Sequence, residues 1–220
     1  MHTTGLAWTN PTSLGDSEEV PGFGLRVVYD EGRNRLVALT RNGSSSIAQT
    51  YELQNYFSGW TPVCSASGCH NFIPARRYHT MTYDRSRERT VVFGGGSSSS
   101  SMLSDLRYYN GSDWFSYCTS CNPRPPARAC SEIVYDEARD VLVLFGGTTD
   151  TSIESSGCTD TSNSARNDLW EWSFGSSSWS QRCANGVGCA GPSQQLGHSM
   201  LYAPTRARAV LIGSNSERID

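Results

Sequence analysis

The feature that most constrains the fold of this chain is a short segment that occurs four times. In each copy a predicted strand leads to a tyrosine, at positions 29, 83, 135 and 202, so the intervals are 54, 52 and 67 residues. An insertion at 148–167 accounts for the longest interval. Self-similarity at such a period predicts a repeat protein in which each copy is one supersecondary unit. The four copies are Leu25–Asp30, His79–Asp84, Ser131–Asp136 and His198–Ala203.

The residues that follow each copy predict a four-stranded antiparallel unit. A polar turn rich in arginine leads to an apolar second strand, which ends in a double glycine in two repeats. Glycine there permits positive φ and close approach of a neighbouring backbone. A third strand follows a polar loop, and a fourth begins near a tryptophan. The predicted second strands are Leu36–Leu39, Thr90–Phe93, Val141–Phe145 and Ala209–Ile212, the third strands are Gln49–Leu53, Asp105–Tyr109 and Asp168–Trp172, and the tryptophans are Trp60, Trp114 and Trp179.

A single unit of about 50 residues cannot bury both of its faces, so the copies must pack face to face around an axis. Aromatic residues are expected to fill the space between them. The sequence therefore predicts an all-β chain, a β-propeller with three complete four-stranded blades plus partial ones. We expect one propeller domain or fragment over 1–220, with repeats at about 22–73, 74–125 and 126–192, a partial repeat at 193–220, and the outer strand of a shared blade within 1–20, at Leu6-Ala-Trp8.

The pattern resembles the kelch repeat of β-propeller proteins, in its bacterial secreted form. The resemblance rests on the double glycines Gly94-Gly95 and Gly146-Gly147, on the aromatic residues of the third strands and on the tryptophans of the fourth. It also rests on the inner-strand signature Pro-x-Arg-x-x-His at 74–79, which 126–131 keeps except for the histidine. The resemblance covers nearly the whole chain and implies a scaffold that binds other molecules.

The resemblance also implies a ring with more blades than this chain supplies. Ala38-Leu39-Thr40 and Gly213-Ser214 stand where double glycines are expected, and only three third strands are predicted. Three explanations stay open: a fragment of a longer propeller, a chain completed by another copy or subunit, or a four-bladed ring with one defective blade. Open blade edges would favour self-association in the first two cases.

Composition limits the partners and the location of the protein. The net charge of −3 shows no sign of the basic face of a nucleic-acid binder. No apolar run reaches the roughly 18 residues that a membrane-spanning helix needs. Residues 1–8 lack the pattern of a signal peptide, so export information is expected to have been removed or to lie elsewhere in a longer chain. The eight cysteines predict disulfides and an extracellular, periplasmic or cell-surface location.

In a propeller of this type, the connections between blades and the loops between second and third strands lie on one face, which we call the loop face. All eight cysteines fall there, so Cys130 and Cys158 are predicted to form a bridge that fixes the insertion. Zinc is the alternative, since Cys118-Thr-Ser-Cys121 has ligand spacing, but a second pair would have to come from another blade. We expect no metal and no cofactor. The predicted local disulfides are Cys64–Cys69, Cys118–Cys121 and Cys183–Cys189.

No pattern in the sequence predicts catalysis, and we expect no enzyme. His79 and His198 share one repeat position, which favours a role in inter-blade architecture, with a ligand in the central channel as the alternative. Asp30, Asp84 and Asp136 recur after the tyrosine, as is typical of turn formation rather than of a unique acid–base pair. The enzymatic alternative is a galactose-oxidase-like fragment, but the Tyr–Cys pair and two histidines of those copper enzymes cannot be assembled here.

The favoured function is a secreted or surface-exposed binding module that recognises a protein or a glycan through the loop face. Arginine and aromatic side chains on loops of a rigid scaffold are typical contact residues. For Arg76 and Arg128, ion pairing with neighbouring blades is an equally good interpretation. The alternative function is a self-assembling subunit of a fibre or surface layer, stacked through its exposed blade edges. The predicted binding residues are Arg76, Arg77, Tyr78, His79, His70, Phe72 and Arg128, with the 148–167 insertion.

Overall fold

The chain folds into four antiparallel sheets, each a meander in which strands pair in chain order. The computed structural model describes residues 23–43, 45–54, 59–64, 69, 71–98, 101–151, 157–158, 164–184, 196–213 and 218–219. Inner strands of successive sheets lie side by side, so the sheets are blades arranged about a common axis. Within the described ranges the blades do not close into a ring, and the predicted all-β, incomplete propeller is confirmed.

The strand bounds follow the repeat. Blade I comprises β1 (Phe23–Asp30), β2 (Arg35–Arg41), β3 (Ala48–Leu53) and β4 (Thr61–Cys64). Blade II comprises β5 (Thr80–Asp84), β6 (Arg89–Ser98), β7 (Ser101–Tyr109) and β8 (Trp114–Cys118). Blade III comprises β9 (Glu132–Asp136), β10 (Val141–Phe145), β11 (Leu169–Ser173) and β12 (Ser178–Cys183). Blade IV comprises β13 (Ser199–Ala203), β14 (Arg208–Ile212) and β15 (Arg218–Ile219), with a single 3-10 turn at Pro204–Arg206.

Blade IV differs from its predicted form. The sequence predicts no third strand there, but β15 pairs with β14, with Leu211 opposite Ile219 and Ile212 opposite Arg218. The expectation of only three third strands was wrong because a two-residue strand carries neither an aromatic residue nor an alternating pattern. The outer strand predicted at 6–8 lies outside the described residues.

Aromatic residues of the fourth strands pack between blades. Trp114 of blade II is buried against Val37 and Leu39 of blade I, and its indole Nε1 donates to Thr50 Oγ1 at 2.9 Å. Trp179 of blade III meets Phe93 of blade II edge to face, with ring centroids 5.6 Å apart. Each tryptophan therefore fills the gap to the preceding blade, as predicted, and the core of the molecule lies between sheets.

A residue at the entrance of each inner strand has a left-handed backbone conformation. Gly24, Tyr78, Cys130 and Gly197 have φ of 68°, 54°, 57° and 67°. This bend directs the entering chain across the neighbouring blade, where the Arg128 carbonyl accepts from Gly95 N at 2.8 Å. Backbone bonds at the loop face thus join blade to blade as well as strand to strand.

The tyrosine that defines the repeat contacts the turn of the preceding blade. Tyr83 Oη accepts from Gly32 N at 3.0 Å, and Tyr202 Oη accepts from Ala138 N at 3.3 Å. Tyr135 Oη instead forms a hydrogen bond with Ser86 Oγ at 2.6 Å. The contact recurs at each junction between described blades, which explains why the tyrosine repeats.

Candidate functional site

Two arginines of the blade entrances lie in the interior rather than on the loop face. Arg76 is fully buried and pairs in a bidentate manner with Asp105, with nitrogen–oxygen distances of 3.0 and 2.9 Å. Arg128 repeats the arrangement with Asp168 at 2.6 Å for both bonds. Each guanidinium also donates to the first carbonyl of the double glycine in its own blade, Gly94 or Gly146.

These contacts correct the interpretation in which the arginines pair with neighbouring blades. The carboxylate in each pair comes from the third-strand region of the same blade, so the ion pair ties the entrance segment to its own sheet. A buried bidentate pair of this kind has no free donor face for a ligand. The burial of Arg76 and Arg128 therefore does not favour a direct role in binding.

The electrostatics of the two aspartates match this role. Burial acts to raise the pKa of Asp105, but the charges of Arg76 and Arg107 outweigh it and hold the pKa below its ordinary value. Burial acts in the same direction on Asp168, and hydrogen bonds from Arg128 again lower its pKa. Both carboxylates are therefore ionised at neutral pH and act as fixed acceptors rather than as acid–base groups.

The two predicted histidines are buried in the blade entrances. His79 is fully enclosed, and neither of its ring nitrogens has a hydrogen-bond partner among the described residues. Burial, together with the nearby charges of Arg76 and Arg26, lowers the pKa of His79 well below its usual value. His198 is also buried and meets Phe145 edge to face at 5.5 Å. These surroundings favour the architectural interpretation of both residues.

Disulfides brace the loop face at three places. Cys64–Cys69 and Cys118–Cys121 close short loops after the fourth strands, with Cα–Cα distances of 5.0 and 5.6 Å. Cys130–Cys158 spans 28 residues and anchors the insertion to the entrance of blade III. These three predicted pairs are confirmed. Cys183 is also disulfide-bonded, but its predicted partner Cys189 lies outside the described residues.

The remaining predicted binding residues differ from one another in how exposed they are. Phe72 is exposed on the loop face, beside the Cys64–Cys69 loop. Arg77 exchanges two backbone hydrogen bonds with Gly96, both 2.9 Å, and its side chain is partly buried. Tyr78 is partly buried and packs against Cys130, Cys158 and Leu196. His70 lies outside the described residues. The structure thus places Phe72, Arg77 and Tyr78 on one connection, around the buried Arg76 and His79.

A cavity that the sequence did not reveal lies at the opposite, turn side of the inner strands. It has a volume of about 250 Å³ and spans blades I to IV. Arg85 crosses it, with ion pairs to Glu31 at 2.7 Å and to Glu137 at 3.3 Å. Glu132 lies in its wall, where burial raises the pKa of the carboxyl group.

The cavity was missed because its charged residues belong to turns. Glu31, Arg85 and Glu137 follow the recurrent aspartates, which do form turns as predicted: Asp30, Asp84 and Asp136 each accept from the backbone three residues on. The signal was the alternation of charge at one repeat position in successive blades. The alternating charges indicate a shared site only when the arrangement of the blades in space shows that these three turns lie close together.

The described residues include no group of three or more His, Cys, Asp or Glu side chains arranged to hold a metal ion. In the same part of the chain, no helix is long and apolar enough to cross a membrane.

Comparison with known proteins supports the fold alone. No protein-family model and no curated protein sequence matches the chain. Among solved structures it is similar to YjhT, a kelch-type β-propeller protein, with a TM-score of 0.54 and 14% identity. The match covers 82% of this chain and 54% of that one, so the chain spans about half the length of its neighbour. The protein is therefore an all-β chain with a propeller fold.

Proposed function

We propose that this protein is a kelch-type binding module of an extracellular, periplasmic or cell-surface compartment, which recognises a protein or a glycan through its loop face. The observation that carries the proposal is the bracing of that face. Three disulfides and two buried arginine–aspartate pairs fix the connections that surround Phe72, Arg77 and Tyr78. Binding residues on loops held by a rigid scaffold lose little entropy when a partner is bound.

The contact residues in this proposal are those that a partner can reach. Phe72 is the exposed aromatic anchor, and the polar edges of Arg77 and Tyr78 lie on the same connection. Arg76 and His79 are buried beside this connection, Arg128 is buried at the entrance of the next blade, and all three are assigned a positioning role. The disulfides support an oxidising location, because such bonds persist outside the cytosol.

The test is a binding screen against a glycan array and a panel of secreted proteins, followed by variants of any interaction found. We expect Phe72→Ala to weaken binding at least tenfold. Phe115→Ala is the matched control, because Phe115 has a similar exposed fraction, 37% against 40%, but lies on the outer strand of blade II. Arg85→Ala tests the cavity at the turn side. Loss of binding in Arg85→Ala with no change in Phe72→Ala would contradict the loop-face assignment.

A second candidate is a structural subunit that assembles into a fibre or surface layer. It is favoured by apolar side chains that are exposed on the outer faces of blades I and IV, including Val27 and Ile212. Filaments that lengthen with protein concentration in electron micrographs would support it. Short, uniform particles would count against it.

We assign no catalytic activity to the chain, and a galactose-oxidase-like fragment is the least favoured alternative. The side chains at both ends of the blades are explained by ion pairs and turns. Copper-dependent oxidation of sugars by the purified protein, above that of a copper-only control, would reverse this assignment.

A further inference from the structure

Blade I has an apolar face that no described blade covers. We call it the leading face, formed by Leu25, Val27 and Tyr29 on β1, which are 43%, 42% and 48% exposed. In blade III, the residues equivalent to Val27 and Tyr29 are Ile133 and Tyr135, and they are only 2% and 4% exposed. The difference arises because blade II covers that face of blade III.

Blade IV has the complementary face, which we call the trailing face, formed by Leu201 and Ile212. These residues are 46% and 57% exposed. Strand register makes Ile212 equivalent to Leu39, Phe93 and Phe145, which are 0%, 0% and 5% exposed. The opposite side of the same strand is covered, since Leu211 is buried.

We propose that two copies of this chain assemble head to tail, with the trailing face of each packed on the leading face of the other, into one closed propeller. The proposal goes beyond the binding function and does not depend on any ligand. Each junction would be a continuation of the inter-blade interface that already joins blades I to IV.

The existing junctions show what the new contact requires. At each of them an inner-strand tyrosine reaches the second turn residue of the preceding blade: Gly32, Ser86 or Ala138. The leading face carries the same tyrosine, Tyr29, which is exposed and bonds only locally to Asn34 in the described part of the chain. The trailing blade supplies Thr205 at the equivalent turn position. Tyr29 of one copy is therefore expected to contact Thr205 of the other.

Two is the smallest number of copies that can cover both open faces of every chain. Head-to-tail contacts between unlike faces form a ring when the rotation closes and a filament when it does not. Two copies joined at two identical junctions leave no open face, whereas a filament would leave one at each end.

The first test is the mass of the purified chain by light scattering and sedimentation. A chain of 24.1 kDa is expected to form a particle of about 48 kDa that does not grow with concentration. Val27→Asp on the leading face and Ile212→Asp on the trailing face should each give monomers. Phe115→Asp, an exposed apolar position away from both faces, is the matched control and should remain a dimer.

Mixing the two monomeric variants tests the head-to-tail geometry. The Val27→Asp chain has an intact trailing face and the Ile212→Asp chain an intact leading face, so an equimolar mixture should recover a heterodimer through one junction. An interface between identical faces would show no such recovery, and neither would variants that had failed to fold.

Three outcomes would overturn the proposal. A wild-type monomer at all concentrations would show that the faces are covered by another segment or partner. A growing series of oligomers would favour the fibre over the ring. A dimer that survives both aspartate variants would place the interface elsewhere.

Discussion

At the scale of single residues, the buried arginine–aspartate pairs explain more of the sequence pattern than any exposed side chain. Arg76 connects the entrance of blade II to Asp105 and to the Gly94 carbonyl, so one side chain fixes three separate segments. Its net contribution compared with an apolar core is small, because both charges are desolvated. Its removal is costly, because the buried aspartate then loses its bidentate partner and keeps only the bond from Arg107 Nε, at 2.6 Å.

Arg76→Met is therefore expected to lower the free energy of unfolding by about 3–5 kcal/mol. The double variant Arg76→Met with Asp105→Leu should recover most of that loss, since no buried charge remains. Arg85→Ala, which breaks exposed ion pairs, should change stability by only about 0–1 kcal/mol. Denaturant unfolding followed by tryptophan fluorescence measures all three. Equal losses in the single and double variants would show that packing, not charge, dominates.

His79 is expected to make stability depend on pH. Its pKa in the folded protein is well below its usual value, through burial and the charges of Arg76 and Arg26. The unfolded chain therefore binds a proton below about pH 6.5 that the folded chain does not bind. The free energy of unfolding should fall as the pH drops below about 6.5, until the folded-state pKa is reached, by at most about 1.4 kcal/mol per pH unit from this group.

The measurement is denaturant unfolding at a series of pH values for the wild type and His79→Leu. The difference between the two curves isolates this histidine from the other titrating groups. Because neither ring nitrogen has a described partner, the substitution should cost little at pH 8. Parallel curves for the two proteins would contradict the assignment of a neutral, buried His79.

At the scale of elements, the double glycines matter because the next blade passes close to them. Gly94 has φ of 63°, and a Cβ atom there would lie 2.6 Å from the Arg128 carbonyl oxygen. Gly43 has a similar φ of 51° but no atom within 4 Å of the same position. A comparison of substitutions at these two glycines therefore separates the cost of backbone strain from the cost of a close approach by neighbouring backbone.

Gly94→Ala is expected to destabilise the protein more than Gly43→Ala does. The φ cost is shared and amounts to about 1–2 kcal/mol, while the clash with backbone applies only at Gly94. Thermal unfolding of the two variants gives the comparison. A shift of the same size in both would mean that the blade junction adjusts without cost.

Much of the fold was predictable at this scale because each blade repeats the same local signals. Val141–Phe145 was predicted with its observed bounds, Cys64–Cys69 and Cys118–Cys121 were predicted from their repeat positions, and Cys130–Cys158 was predicted from the shared loop face. The partner of Arg76 was not predicted, because Asp105 is 29 residues away and only the sheet brings the two together. The turn-side cavity was missed for the same reason, since it depends on the spatial order of four inner strands.

At the scale of the whole molecule, stability is expected to vary from blade to blade. In a repeat array each unit is stabilised by its own sheet and by its junctions with neighbours. Blades II and III have a junction on both faces, whereas blades I and IV each retain an open apolar face in a single copy. The outer blades should therefore open more readily than the central ones.

Hydrogen exchange read by mass spectrometry can detect this gradient and its dependence on concentration. Below the association midpoint, amides of β1 and β14 should exchange faster than those of β5 and β10, because their blades lack one junction. Above the midpoint, head-to-tail pairing supplies the missing junctions, so protection should rise in β1 and β14 and stay constant in β10. In Ile212→Asp, protection of β1 and β14 should be low at every concentration. Uniform protection of all four blades in the dilute wild type would mean that the open faces are already covered within one chain.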